Sequence, residues 1–270
     1  MAIKVKFWGV RGSIACPSPD HVVYGGNTSC VEMTVGDAVL IFDAGTGIRN
    51  LGKDLIRRNV TEANIFLTHT HWDHINGFPF FVPAYNPNAS FRHLTNQGGV
   101  ERVFSAQMAD PTFPVPLSAM KSKLTFEDFN VGNELRPAAD ILIKTAPLRH
   151  PNEATAFRVE YGGHSVCYVT DTEHDPDKPD QIILDFIKDA DLVIYDSTYT
   201  DEEFPQKVGW GHSTWQEGIR LCRAAKAKQL ALFHHDPDHD DATMTVIEQK
   251  ARATWSGAFA ARDEMVLQIE

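Results

Sequence analysis

The sequence predicts a layered α/β fold, on three observations. Strand-like and helix-like segments alternate along most of the chain. A hydrophobic content of 43%, with 10% aromatic residues, is enough to fill a sizeable core. Histidines and aspartates stand directly after several strand-like runs, where α/β sheets place their binding residues. At 270 residues the chain fits one large domain or two small ones, and we read it as one domain over 1–270.

Taken in order, residues 3–8 alternate charged and apolar side chains and are predicted to form an edge strand. Residues 31–35 and 38–42 read as a strand pair joined through Gly36-Asp37. From Gly47 to Arg58 the residues Ile48, Leu51, Leu55 and Ile56 fall at helical spacing. Residues 64–68 form a short buried strand that runs into a histidine cluster. Strands are predicted at 141–146, 155–161 and 164–170, then a helix at 179–189 and a strand at 191–195. A helix at 213–227, a strand at 229–233, a helix at 240–255 and a strand at 265–269 complete the alternation. The stretch 83–140 differs, being rich in Pro, Asn, Gly and Phe, as in Asp110-Pro111-Thr112-Phe113-Pro114. It is too apolar for a linker and is predicted to be a lid-like insertion over one sheet edge, with Phe113 at the substrate entrance.

Composition excludes several classes of function. No apolar run is long enough to span a membrane. The start, Met1-Ala2-Ile3-Lys4-Val5-Lys6, lacks the apolar core of a signal peptide, so a cytoplasmic location is expected. The four cysteines, Cys16, Cys30, Cys167 and Cys222, are scattered without a Cys-x-x-Cys pair and read as small reduced hydrophobes. The net charge of −11 repels a long polyanion on average, which disfavours long nucleic acid as partner. A site made locally positive by metal ions is compatible with it.

The informative stretch is Thr68-His69-Thr70-His71-Trp72-Asp73-His74, with three imidazoles and a carboxylate within six residues after a buried strand. Along a strand end, His69, His71 and Asp73 share one side, and the opening of the next helix brings His74 round. Imidazole nitrogen and carboxylate oxygen suit Zn²⁺ and related cations. Four ligands in one loop do not fill two metal shells. Other strand ends offer His150, Asp171 and His234, although each alone reads equally well as a cap or surface group.

Together, His69-x-His71-x-Asp73-His74 with His150, Asp171 and His234 resembles the complete ligand set of the metallo-β-lactamase superfamily. The resemblance implies an αββα four-layer sandwich with the site at one end of the paired sheets. It implies one metal held by His69, His71 and His150, a second by Asp73, His74 and His234, and Asp171 as the bridge. The cofactor expected is a pair of divalent ions, Zn²⁺ first, with Mn²⁺ or Fe as alternatives. His235 is the alternative last ligand, or a substrate contact.

Gly211-His212-Ser213-Thr214 is similar to the C-terminal motif of the tRNA 3′-processing endonucleases and of cyclic nucleotide and phosphoribosyl 1,2-cyclic phosphate phosphodiesterases. This implies that His212 points into the site with Asp196 behind it; the plain alternative is a helix start capped by Ser213. The openings Phe7-Trp8-Gly9-Val10-Arg11-Gly12-Ser13 and Tyr24-Gly25-Gly26-Asn27-Thr28-Ser29-Cys30 also resemble this branch. Asn27 is their candidate substrate contact, while their glycines serve equally well in tight turns. Asp43 of Asp43-Ala44-Gly45-Thr46-Gly47 is expected to be structural. His21, His93, His164 and His174 lack a partner pattern and are expected at the surface or in loops.

These residues imply a metal-dependent phosphoric diester hydrolase. Two ions lower the pKa of a shared water and neutralise phosphoryl charge. Asp73, though a ligand, could also accept a proton, and His212, oriented by Asp196, serves the leaving oxygen. The charge favours a small, cyclic diester as partner, with a homodimer left open. The alternatives are a ribonuclease acting on tRNA 3′ ends or other RNA, and a hydrolase of non-phosphate esters or amides.

Overall fold

In the computed structural model, which describes residues 2–270, Ile3, Val5 and Phe7 turn to one face of β1 (Ile3–Gly9), as its alternation requires. There follow β2 (Cys30–Val35), β3 (Ala38–Phe42), α1 (Ile48–Arg57), β4 (Glu62–Phe66), α2 (Trp72–Ile75), β5 (Ser90–Thr95) and α3 (Val100–Gln107). The middle of the chain gives β6 (Lys123–Asp128), β7 (Glu134–Ala138), β8 (Ile141–Leu148), β9 (Ala154–Tyr161) and β10 (His164–Val169). The rest is α4 (Gln181–Phe186), β11 (Leu192–Asp196), α5 (Trp215–Ala224), β12 (Leu230–Phe233), α6 (Asp241–Thr254), β13 (Ala258–Ala260) and β14 (Val266–Ile269).

Two mixed sheets of seven strands result, ordered β14-β1-β2-β3-β4-β5-β6 and β13-β12-β11-β10-β9-β8-β7. Their inner faces close on a shared apolar layer, with Phe7, Phe42 and Phe66 from the first sheet meeting Phe157, Tyr168 and Phe233 from the second. Phe42 stacks on Phe66 at 5.2 Å and tilts against Phe157 at 5.5 Å, so it touches both sheets. Helices cover the outer faces. Ile48, Leu51 and Leu55 of α1 pack on the first sheet, and Ile219, Cys222, Met244 and Ile247 of α5 and α6 on the second. The order helix, sheet, sheet, helix is the predicted αββα sandwich. All four cysteines are free thiols, and three of them are buried. Among the described residues no helix is long and apolar enough to cross a membrane.

Several expectations need correction. β1 is not an edge strand: β14 pairs along its outer side, Ile3 opposite Ile269, and β2 along its inner side. The stretch 83–140 does not simply lie over a sheet edge. Its β5 and β6 extend the first sheet in parallel beyond β4, and β7 pairs with β8 in the second. Polar residues such as Arg92, His93 and Lys123 inside these strands hid them from the apolar pattern. What stands apart from the sheets is α3 and the Pro-rich loop around Phe113. Thr214, not Ser213, caps α5 by accepting from the Glu217 N–H. His93 is buried within β5 and His21 in a short 3-10 turn, while His174 lies in a loop, as expected, but is buried there. His93 sits among Phe78, Phe104 and Phe126, where burial pushes its pKa down to about 3.

Truncating Phe42 removes the ring that contacts aromatic side chains of both sheets. Phe42→Ala is expected to destabilise the protein by about 3–5 kcal/mol, the range for large buried aromatics. Urea unfolding followed by circular dichroism measures it; a loss under 1 kcal/mol would show that the sheets do not depend on this contact.

Candidate functional site

Three candidate site residues occupy backbone positions that most residues avoid. Asp43 follows β3 with φ 62°, Asp171 follows β10 with φ 59°, and His234 follows β12 with φ 61°. A non-glycine residue in this left-handed region costs on the order of 1 kcal/mol or more and persists where surrounding structure imposes it. At these strand ends the reversal turns the side chain out of the sheet's alternation and back across the end of the sandwich. There it meets His69 and His71 from the β4–α2 loop, Asp73 and His74 from α2, and His150 from just beyond β8.

The candidate ligands collect in two groups. His69, His71 and His150 form one, and Asp73, His74, Asp171 and His234 the other; within each, the ligand atoms lie within 4.8 Å of one another. Asp171 reaches across, its Oδ1 at 3.8 Å from His69 Nε2 and from His150 Nε2, and at 3.3 Å from His234 Nε2. His69 Nε2 and His74 Nε2 are buried without a hydrogen bond, an arrangement that is costly unless something else occupies those nitrogens. The donor set, imidazoles with two carboxylates, therefore fits two borderline divalent ions, each group holding one and Asp171 placed to serve both.

The opposite ring nitrogens are held by the protein. His74 Nδ1 lies 2.8 Å from Asp43 Oδ2, His69 Nδ1 3.0 Å from Thr68 Oγ1, and His234 Nδ1 3.1 Å from Thr198 Oγ1. His150 Nδ1 donates to the Gly211 carbonyl at 2.8 Å. Each contact leaves Nε2 of that ring facing the group. His71 is turned the other way, its Nδ1 inward at 3.0 Å from His150 Nε2 and its Nε2 outward toward Asn152.

The electrostatics call for cations. Burial opposes ionisation of Asp171, yet His234, His74 and His69 hold its pKa well below the usual carboxylate range. Asp73 behaves likewise beside His74 and His234. Burial likewise opposes a charged His234, but Asp171 and Asp73 raise it to about 9. His69, with less carboxylate around it, is pushed down by burial and by the neighbouring His74, so its imidazole is neutral as a ligand must be.

Beside the ligands stands a second pair. His212 Nδ1 lies 2.9 Å from Asp196 Oδ2, and the His212 ring stacks on His234 at 4.8 Å. Asp196 is fully buried and accepts from the Thr172, Thr198 and Ser213 N–H groups, so its carboxylate is fixed. With Nδ1 engaged, Nε2 is the open nitrogen of the ring. His212 also falls within ligand reach of His150 with Asp171, and of Asp196 with His234, so proximity alone does not separate it from the ligands.

The remaining candidates divide. His235 is not a substrate contact: its ring points into the fold, with Nε2 at 2.9 Å from the Ala261 carbonyl. Burial, then Arg11, push its pKa down to about 3, and it is His234 rather than His235 that falls in a group of candidate ligands. Asn27 is tied to two distant segments, donating to Asp263 at 2.9 Å and accepting from Thr46 at 3.2 Å, which leaves its amide little for a substrate. Phe113 lies in the groove beside the metal loop, edge-on to Phe80 at 5.7 Å.

Sequence reasoning missed the supports. Asp43, expected only to be structural, accepts from the Thr68 N–H and hydroxyl and from the Tyr168 hydroxyl while contacting His74. Tyr168 belongs to the other sheet, so this carboxylate ties the sandwich together at the site. Ser13, at φ 62°, donates its N–H to Asp73 Oδ2 at 2.8 Å. Gly12 beside it needs to be glycine because a Cβ would lie 2.3 Å from the His234 ring. Glu173 accepts from the Gly209 and Gly211 N–H groups and so shapes the loop that carries His212.

Asp43→Asn keeps the shape but loses the charge that orients His74. Zinc affinity, measured by competition with a chromophoric chelator, is expected to fall about 10–100-fold; unchanged affinity would show that Asp43 only joins the sheets.

Comparison with known proteins agrees with this architecture. Residues 39–235 match the family model described as a beta-lactamase superfamily domain. A protein of Thermoplasma volcanium named Ribonuclease Z is 25% identical over 324 aligned residues, covering 99% of this chain and 98% of that one. Among solved structures, the metallo-beta-lactamase fold protein YhfI of Bacillus subtilis aligns with TM-score 0.76 at 19% identity, over 99% of both chains. A structure titled a new diphosphatase from the PhnP family aligns with TM-score 0.72 at 16% identity, over 99% of this chain and 98% of that one. With the family model spanning the strand ends from Asp43 to His234, the chain belongs to the beta-lactamase superfamily and is a metal-dependent hydrolase of the metallo-β-lactamase fold.

Proposed function

We propose that the chain hydrolyses phosphate diesters, and that His212 and Asp196 act as a proton-handling pair beside two bound divalent ions. The observation that carries this is the His212–Asp196 contact at 2.9 Å beside the two groups of candidate ligands. His69, His71 and His150 would hold one ion and Asp73, His74 and His234 the other, with Asp171 in reach of both groups; ions held there would supply water activation and charge neutralisation at a phosphoryl group. The residues do the rest. Asp196 holds the His212 ring in one orientation through its Nδ1. His212 Nε2 is then placed to protonate a departing alkoxide. Asp73, fixed by the Ser13 N–H, keeps its Oδ2 turned toward His74 and His234.

On the substrate, the relative named Ribonuclease Z matches this chain end to end, so cleavage of RNA at or near a 3′ end stands ahead of the small cyclic diester that charge alone favours. The small-diester reading retains one observation, the net charge of −11, which a long polyanion has to overcome.

Removing His212 is expected to leave two metals per chain while lowering kcat by about 10²–10⁴, the range for a lost general acid or oxyanion donor. The deficit shrinks on p-nitrophenyl diesters, whose leaving group needs little protonation. Elemental analysis with kinetics on His212→Ala checks both points: loss of a metal would make His212 a ligand, and full activity would remove it from the reaction.

Substrate class is decided by a panel on the metal-loaded protein, containing precursor tRNA, 2′,3′- and 3′,5′-cyclic nucleotides and ribose cyclic phosphate. Cleavage of the precursor with inert cyclic substrates is the expected result. The reverse pattern restores the small diester, and inactivity on every phosphodiester overturns the proposal.

A further inference from the structure

Next to the metal loop lies a groove of about 700 Å³ with an aromatic lining: Trp72, Phe80 and Phe113, with Ile75, Pro79 and Val103 behind them. Trp72 stands in the chain between His71 and Asp73. While Asp73 turns into the ligand group, the Trp72 side chain turns outward and is 82% exposed. Phe80 is 52% exposed and meets Phe113 edge-on, so the groove wall is built from rings of three segments: the start of α2, the short turn Phe78–Phe80 and the Pro-rich loop after α3. Exposed aromatic surface of this kind is unfavourable in water unless a ligand covers it. The groove is not purely apolar. Arg102, on the exposed side of α3, brings a cation to it in a chain of net charge −11, and the Asn76 and Gln107 amides also line it. Gln107 spends its Nε2 on the Ile75 carbonyl at 3.1 Å, which fixes the amide and leaves its oxygen as an acceptor.

These features ask for a flat ring with polar edges, joined to an anion. We propose that this groove is a base-stacking subsite: Trp72, together with Phe113, stacks the nucleobase adjoining the phosphate held at the metal groups, and Arg102 meets that nucleotide's negative charge. The proposal rests on the phosphodiester reading and narrows its substrate class to nucleotide diesters. Continuity carries it, since Thr70 and Trp72 line the groove and alternate in the chain with the candidate ligands His69, His71 and Asp73. Stacking on an aromatic ring tolerates every base, so the subsite confers a preference for a base over no base rather than for one sequence.

Calorimetry on the zinc-loaded protein tests this without turnover, comparing uridine 5′-monophosphate with ribose 5-phosphate, which differ only by the base. The protein is expected to bind the nucleotide about 10–100-fold more tightly, the scale of one stacked base. Trp72→Ala is expected to reduce that preference to within about threefold, Phe113→Ala to reduce it in part, and Trp72→Phe to keep most of it, each with metal content unchanged. Equal affinity for the two ligands overturns the subsite, as does a preference that survives both alanine variants. Turnover of methyl p-nitrophenyl phosphate, which has no base, is measured separately on the unaltered protein. Base-dependent binding without that turnover sinks the hydrolytic reading and leaves the subsite standing; turnover without base preference does the opposite.

Discussion

The structure turns on the burial of carboxylates at the junction of two sheets. Asp43, Asp171 and Asp196 are almost wholly removed from solvent, Asp73 nearly so, and six imidazoles are gathered around them. Such a concentration of ionisable groups in an apolar sandwich is tolerable only if each charge is matched. Here the matching is layered. Asp43 is neutralised by hydrogen bonds and by His74, Asp196 by His212 and backbone N–H groups, while Asp73 and Asp171 face nitrogens that only a cation or a proton can satisfy. The strand-end geometry, the glycine at position 12 and the strained Ser13 all follow from building that arrangement in one place.

The two sheets are thereby more than a scaffold. The aromatic layer of Phe42, Phe66, Phe157 and Tyr168 sets their separation, and the Tyr168 hydroxyl ends in the Asp43 carboxylate. A ring whose body belongs to the core and whose hydroxyl belongs to the site couples packing to ligand orientation directly. Damage to the core near β10 is therefore felt at His74 through two hydrogen bonds rather than through a diffuse loosening.

Much of this was legible in the sequence, and the exceptions have physical reasons. The histidine cluster and the strand-end residues His150, Asp171 and His234 stood out because several ligand types followed apolar runs. Most elements lay within a few residues of their expected places. The strands β5, β6 and β7 did not stand out, because their pairing comes from the sheet edge and their own residues, Arg92 and Lys123 among them, do not alternate cleanly. The position of β1 was misjudged since its partner β14 is more than 250 residues away in the chain, beyond any local pattern. His93 and His235 were misplaced for a related reason: a histidine's burial is set by what packs on it, and nothing beside it in sequence reports that. The supporting roles of Asp43 and Ser13 depend on hydrogen bonds to distant segments and were equally invisible.

The left-handed turns at Asp43, Asp171 and His234 have a bearing on how this chain can change. Glycine would relieve the backbone at Asp171 and His234, whereas at Asp43 it would also strip the acceptor that holds the Thr68 and Tyr168 hydroxyls. Glycine has no side chain to offer a metal. Relief of backbone strain and retention of the metal groups thus pull in opposite directions at Asp171 and His234. A descendant that lost its activity would be free to relax there, and a glycine at either position would leave the second group one candidate ligand short.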